Sequence, residues 1–346
     1  MKLVENKWIF RVKQNSNGSI SRYKARLVAK GFLQAEGVDY QETFSLVVKA
    51  ATIRIVLNLA VVHDWKLRQV DINNAFLNGE LTETVSMPQP EGFVNPNYPR
   101  HICKLKKPLY GLKQAPRAWF NKLKLVLESW NFCRAKSDTS LFFKHNGNDV
   151  VILLIYVDDI IVIGNNNIEI EQLVQDLGCT FALQNLGQLN LFLGIEVTRN
   201  ENTLMLSQTK YLKELLAKFD LQNCNGADTP LATTDKLNKF VGTKYSNPTQ
   251  YRRAIGGLQY VVLTRPEIAY AVNKVSQFMA SPMQPHWLAC KRVLRYLKET
   301  IDYGLSFKKS FSFDLIAYSD ADWGSDPDDR RSTSGYCIYL GDNLVS

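Results

Sequence analysis

Histidine is scarce in this 346-residue chain, with four in all, and the six cysteines stand far apart at Cys103, Cys133, Cys179, Cys224, Cys290 and Cys337. No Cys-x-x-Cys pair occurs, which argues against a zinc knuckle or finger. Isolated thiols of this kind read as buried or incidental groups of a reducing compartment. Long hydrophobic runs are missing as well. The longest, residues 150–157, ends in two aspartates and is far too short to cross a bilayer. Residues 1–10 hold no apolar stretch of the kind that makes a secretory signal. These absences lead to the expectation of a soluble, intracellular protein with no membrane partner. Low complexity is absent too: 19 glycines and 12 prolines follow no short period.

Apolar residues are plentiful, at 45% of the chain, which excludes disorder as the main state. The length suggests two or three domains. Formal charge is +9, and it is unevenly spread. Residues 100–136 carry ten Lys/Arg against the single acid Glu128, and residues 244–300 carry nine against two. Residues 150–200 and 310–346 each sum to −5. Two basic zones thus flank an acidic one. Solvated helix faces would give this pattern, and so would a positive channel around an acidic floor, which suits a polyanion and a divalent metal.

Periodicity predicts strands over residues 8–13 and 20–30 around the turn signal Asn17-Gly18, a helix over 52–63 and a strand over 65–72. A proline-rich loop follows at 87–99. A helix is expected from Pro116 to about Trp130, then strands over 141–144, 150–156 and 160–163. A short helix over 168–177 should end at Gly178. Residues 191–199 and 204–207 read as a hairpin across 200–202. Helices are expected over 251–263, 266–279 and 285–299, and strands again from about Phe313. Linker candidates are 223–244 and 300–312. In the helix over 285–299, Leu288, Val293, Leu294 and Leu297 form a plausible core stripe. Lys291, Arg292, Arg295 and Lys298 lie mostly off it, either solvated or tracking a duplex backbone.

The most informative segment is Val151-Ile-Leu-Leu-Ile-Tyr156-Val157-Asp158-Asp159-Ile-Ile-Val-Ile-Gly164. Two carboxylates at a hairpin tip repel each other unless a cation sits there. Hard divalent cations take oxygen ligands, so such a pair suits Mg²⁺; a solvated turn is the alternative. Asp71 ends another apolar strand. If that strand lies beside the hairpin, Asp71 and Asp158 face each other and could bridge two metals. Phosphoryl transfer is mostly positioning and charge neutralisation, so no side-chain nucleophile is required.

Tyr156-Val157-Asp158-Asp159, Val70-Asp71-Ile72 and Phe76-Leu77-Asn78-Gly79 together resemble a reverse transcriptase. More narrowly, Tyr23-Lys-Ala-Arg-Leu-Val-Ala-Lys-Gly-Phe32, Leu109-Tyr-Gly-Leu-Lys-Gln-Ala-Pro-Arg-Ala-Trp119 and Phe192-Leu-Gly-Ile-Glu-Val197 resemble the copia-type retrotransposon polymerase. The motifs stand in family order over nearly the whole chain. The resemblance implies an α+β right-hand polymerase: fingers and palm over residues 1–222, a mainly helical thumb and connection over 223–310, and a truncated ribonuclease H-like α/β stub over 311–346. It implies an RNA-directed DNA polymerase that joins deoxynucleoside triphosphates to a primer on an RNA or DNA template. Two Mg²⁺ ions, with Mn²⁺ as substitute, are the implied cofactors. Asp71, Asp158 and Asp159 are the implied catalytic and metal-binding acids, with Asp159 acting through its field rather than by direct ligation.

The same resemblance makes Phe76 a steric gate against the ribonucleotide 2′-hydroxyl. It makes Gln114 a nucleotide or template contact, and Lys113, Arg117 and Tyr156 nucleic-acid contacts. Strand alternation puts Lys24, Arg26 and Lys30 on one face, and in the family such a face holds the triphosphate, with Arg26 favoured for its planar fork. Residues 191–197 resemble the primer grip. Asp320 would be the first acid of ribonuclease H, but the family's later acids lie past Ser346, so that activity is not expected of this chain. Leu46 stands where the family usually has proline. The family works inside cytoplasmic particles, which sets the expected location. A nucleic-acid-binding remnant without activity, an RNA polymerase and a nucleotide cyclase are the rival readings; a bulky Phe76 argues against the second.

Overall fold

The computed structural model describes residues 3–14, 19–43, 48–232 and 237–346. The expected Asn17-Gly18 turn and Leu46 lie outside them. The chain divides into two compact units, one of residues 1–49 and 66–188, the other of 50–65 and 189–346. Helix α1 (Ala50–Val62) therefore interrupts the first unit in sequence while belonging to the second.

The first unit begins with an antiparallel ribbon of β1 (Asn6–Gln14) and β2 (Ile20–Ala29). Next come β3 (Lys66–Ile72) and a small pair, β4 (Ser86–Pro88) with β5 (Ile102–Lys104), so the expected proline-rich loop starts just after a short strand. Helix α2 (Ala115–Ser129) starts with Pro116 in its first turn, where a missing N–H costs nothing. It buries Ala115, Trp119, Phe120, Leu123 and Leu127, a stripe at helical spacing. Full burial of each large apolar side chain contributes roughly 1.5–3 kcal/mol. The strands β6 (Cys133–Arg134), β7 (Leu141–Asn146), β8 (Asp149–Tyr156) and β9 (Asp159–Gly164) lead to helix α3 (Asn167–Thr180) and strand β10 (Leu183–Gln188).

Six strands form one antiparallel sheet in the order β10-β3-β9-β8-β7-β6. Its central strands are buried on both faces, which is why they read as unbroken apolar runs instead of alternating. Val70, Ile72, Leu153, Ile155, Ile160 and Val162 share a core with the α2 stripe and with Ile170, Leu173 and Leu177 of α3. Helix α3 does not stop at Gly178 as expected. The glycine has open space around it and ordinary helical handedness, and the helix runs on until Phe181 turns extended and buries its ring.

In the second unit the expected strand over 191–199 is broken. Leu193 and Gly194 adopt positive φ (51° and 72°) and fold β11 (Leu191–Phe192) back on β12 (Ile195–Arg199). Such a two-residue turn joins strands of right-handed twist, and a run of apolar residues hides it from periodicity. β13 (Thr203–Ser207) follows, and the supposed linker over 300–312 contains β14 (Leu305–Lys308), which pairs with β13. Helices α4 (Thr209–Lys218), α5 (Pro248–Val261), α6 (Ala269–Ser276) and α7 (Gln284–Glu299) share one core. The expected helix over 266–279 is a 3₁₀ turn at Pro266–Ile268 leading into α6. A last sheet joins β15 (Leu315–Ala321), β16 (Ser334–Leu340) and β17 (Asn343–Leu344).

Leu288 is 53% exposed; the core stripe of α7 is Trp287, Cys290, Val293, Leu294 and Leu297. Three of the four cations in the basic row beside it are bound to backbone carbonyls. Arg292 donates to the Thr229 carbonyl and hydroxyl, Arg295 to the carbonyls of Asn225 and Gly226, and Lys298 to that of Cys224. These cations fasten the segment before α5. A buried amide pair fastens the far end of the chain: Asn343 Nδ2 donates to Asn58 Oδ1 (2.6 Å) and the Lys308 carbonyl, while its Oδ1 accepts from the Lys308 N–H. Asn343→Ala would strand the buried Asn58 amide and the part-buried backbone groups of Lys308. Denaturant unfolding should show a loss of about 2–3 kcal/mol, with no change expected from a substitution at exposed Asp342.

Candidate active site

The β8–β9 register pairs Tyr156 with Asp159, leaving a two-residue turn of Val157 and Asp158. Val157 sits at φ 56°, a region that a β-branched residue rarely enters. β3 lies beside β9, with Asp71 directly opposite Asp159, and the Ile72 N–H donates to the Asp158 carbonyl at 2.8 Å. The expected neighbouring of strand and hairpin is therefore present, and all three acids stand at one end of adjoining strands.

They are half-buried and repel each other. Burial pushes the Asp71 carboxyl above the usual range, and Asp158 adds to the rise; the cations of Lys24, Arg26 and Arg22 oppose it. Asp159 is pushed up to about 6, first by burial, then by Asp158 and Asp71, against a long 3.5 Å contact from the Gln69 amide. Among the described residues, no group of three or more His, Cys, Asp or Glu is gathered closely enough to hold a metal ion. What is gathered is a set of coupled carboxylates beside a row of cations.

That row comes from β2, where alternation sends Arg22, Lys24 and Arg26 to one face. Arg22 shares their parity, so the signal for it was in the sequence although only Lys24, Arg26 and Lys30 were read from it. Lys30 is elsewhere engaged, in an ion pair with Glu5 at 2.6 Å. Tyr110 is the other residue that the motif reading passed over. The Arg26 guanidinium lies 4.7 Å from its ring centroid, and the Phe76 ring stands 4.5 Å away, tilted 50°. Its hydroxyl is buried without a hydrogen-bond partner, and its ionisation is suppressed by burial and by Asp158 and Asp71. Phe76, Tyr110, Arg26 and the carboxylates therefore form one neighbourhood.

Backbone contact fixes that neighbourhood. The Ala29 N–H donates to the Tyr110 carbonyl at 2.8 Å. Gly111, at φ 94°, comes so close that an added Cβ would stand 2.1 Å from the Ala29 oxygen. No side chain fits there, so glycine is required on both steric and conformational grounds.

Gln114 is placed differently. It is 1% exposed, accepts from the Gln34 amide at 3.0 Å and donates to the Asp39 carbonyl, so it ties the start of α2 to residues 34–39. Arg117 pairs with Glu83 (3.1 Å) and Glu42 (3.5 Å). Lys113 is exposed, and Tyr156 is half-buried at the end of β8. Asp320 is exposed on β15.

The raised carboxyls have a consequence for stability. Asp159 ionises near 6 in the folded chain and near 3.8 when free, so its protonated form favours folding. Its contribution is present below about pH 4 and is lost as pH rises through 6; Asp71 acts in the same direction. Asp159→Asn should therefore stabilise the metal-free chain at pH 7.5 and not at pH 4, by about 1 kcal/mol after allowing for solvent screening of a half-exposed group. Urea melts at the two pH values measure this.

Residues 1–233 match the family of reverse transcriptases (RNA-dependent DNA polymerases). The chain is 48% identical over 344 residues to the retrovirus-related Pol polyproteins from transposons RE2 and RE1 of Arabidopsis thaliana, covering 99% of itself and 24% of each relative. It is 40% identical over 352 residues to the Pol polyprotein from transposon TNT 1-94 of Nicotiana tabacum, covering 98% of itself and 26% of that protein. It thus spans about a quarter of the length of these relatives. No described helix is long and apolar enough to cross a membrane. With this family match over residues 1–233 and relatives that span nearly its whole length, the chain belongs to the reverse transcriptase family.

Proposed function

We propose that this chain adds deoxynucleotides to a primer 3′-end, on an RNA template above all and on DNA as well. The observation that carries the reading is Asp71 at the end of β3, opposite Asp159 and beside the turn that carries Asp158, with the cations of β2 close enough to act on it. A triphosphate and a 3′-hydroxyl need that combination of carboxylate and cation.

In this reading the β1–β2 ribbon is the fingers and the six-stranded sheet with α2 and α3 is the palm, within residues 1–222. Residues 223–310 are thumb and connection, and residues 311–346 begin a ribonuclease H-like domain, with Asp320 exposed on β15. The donor set suits Mg²⁺, or Mn²⁺ in its place: hard oxygen ligands whose mutual repulsion a cation would relieve. Asp71 and Asp158 would hold two ions, with Asp159 adding its field. When bound, the metals supply the charge that acidifies the primer hydroxyl and stabilises departing pyrophosphate.

The protein's own groups do the positioning. Arg26, with Lys24 and Arg22, binds the triphosphate. Phe76, backed by the Tyr110 ring, closes the space that a 2′-hydroxyl would need. Lys113 and Tyr156 meet the nucleic acid, and Arg117 can do so only by exchanging its ion pair with Glu83. Gln114 supports the loop that carries Tyr110 rather than touching the nucleotide.

Primer extension on an RNA template tests the reading. Asp158→Asn should lower the rate by roughly a thousandfold or more while primer–template binding is unchanged; equal rates in variant and wild type refute the metal-ligand role. Steeply salt-dependent binding with no extension by the wild type would instead indicate a binding remnant. Phe76→Ala should cut discrimination against ribonucleotides by about tenfold or more, read from competing triphosphates. Wild-type discrimination in that variant would remove Phe76 from the gate.

A further inference from the structure

We propose that Trp119 is a positioning residue that holds the Val157-Asp158 turn in its left-handed conformation and so sets the direction of Asp158. This rests on the polymerase reading only for its catalytic consequence.

The Trp119 ring is fully buried on α2 and packs edge-to-face against Phe181 at 5.1 Å. Its indole N–H donates to the carbonyl oxygen of Val157 at 2.7 Å. That oxygen belongs to the peptide plane joining Val157 to Asp158. Holding it fixes the plane from which the Asp158 side chain springs.

The turn needs such a hold. Two-residue hairpin turns with positive φ at their first position favour glycine, whereas valine has two methyl branches that crowd the backbone there. Left to itself, Val157 would drift toward negative φ and rotate the following plane. The backbone on the other side of that plane is held by the Ile72 N–H on the Asp158 carbonyl. The turn is thus clamped at two successive carbonyls, one by a neighbouring strand and one by a side chain from α2.

The donor is closely packed on its backbone side as well. α2 lies backbone to backbone against the chain that follows Phe76: a Cβ added at Gly79 would stand 2.8 Å from the Trp119 nitrogen. One rigid helix therefore links the gate residue's segment to the turn that presents Asp158. A plain structural role would only satisfy a buried indole N–H; here the bond also holds the conformation of Val157.

The test is a double-mutant cycle with Trp119→Phe and Val157→Gly, because glycine adopts positive φ without help. Two readouts are used: hydrogen exchange of the hairpin tip in the metal-free chain, and kcat for primer extension with primer–template affinity measured separately. Trp119→Phe should speed exchange at the tip and lower kcat by about tenfold each, the scale of one net hydrogen bond, with affinity unchanged. In the Val157→Gly background the same substitution should change either value by less than about twofold. Equal losses in both backgrounds, or no loss in the first, overturn the proposal. If the wild type fails to extend primers, the polymerase reading fails, and the exchange measurement still decides the role of Trp119.

Discussion

Like charges forced together govern the first unit. Asp71, Asp158 and Asp159 occupy the ends of two neighbouring strands, and the pairing that builds the sheet also sets Asp71 against Asp159. Half-burial makes the repulsion expensive, as the raised carboxyls of Asp71 and Asp159 show. A fold selected for stability alone would place neutral side chains there. The positive face of β2 offsets part of the charge, and under the proposed function the remainder falls to a divalent cation.

Backbone devices make this arrangement possible. The turn at Val157 is strained and is held by a tryptophan N–H from α2. Gly111 lets the Tyr110 loop touch β2. Gln114 and Gln34 cross-link the same loop from beneath. None of these residues carries charge, yet each fixes where a charged or aromatic group stands. The basic row of α7 shows the converse: cations that look like a nucleic-acid surface are spent on carbonyls of the chain's own segment 224–229.

Much of this was legible in the sequence. Strong apolar runs interrupted by Asp158-Asp159 fixed the central hairpin, because few structures other than buried strands tolerate such runs. Pro116 marked the start of α2. Asp71 and Asp158 read as candidate site residues because acids at strand ends are rare without a reason. What escaped depended on contacts between residues far apart in sequence. Gln114 read as a nucleotide or template contact, and only the approach of residues 34–39 shows that its amide is enclosed. Tyr110 read as one aromatic among 38 in the chain until Arg26 and Phe76 came to flank it. The Leu193-Gly194 turn was hidden because leucine gives no local warning of positive φ, and β14 because a short strand has too little periodicity to register.

We propose that the repelling carboxylates are a site for divalent cations. Mn²⁺ titration followed by electron paramagnetic resonance, on the chain with primer–template bound, is the measurement that decides it. Binding at pH 7.5 should be lost in Asp71→Asn and weakened at pH 5, where Asp159, pushed up to about 6, takes up a proton and no longer adds its charge. Binding that is indifferent to Asp71→Asn, or equally strong at both pH values, would contradict the proposal.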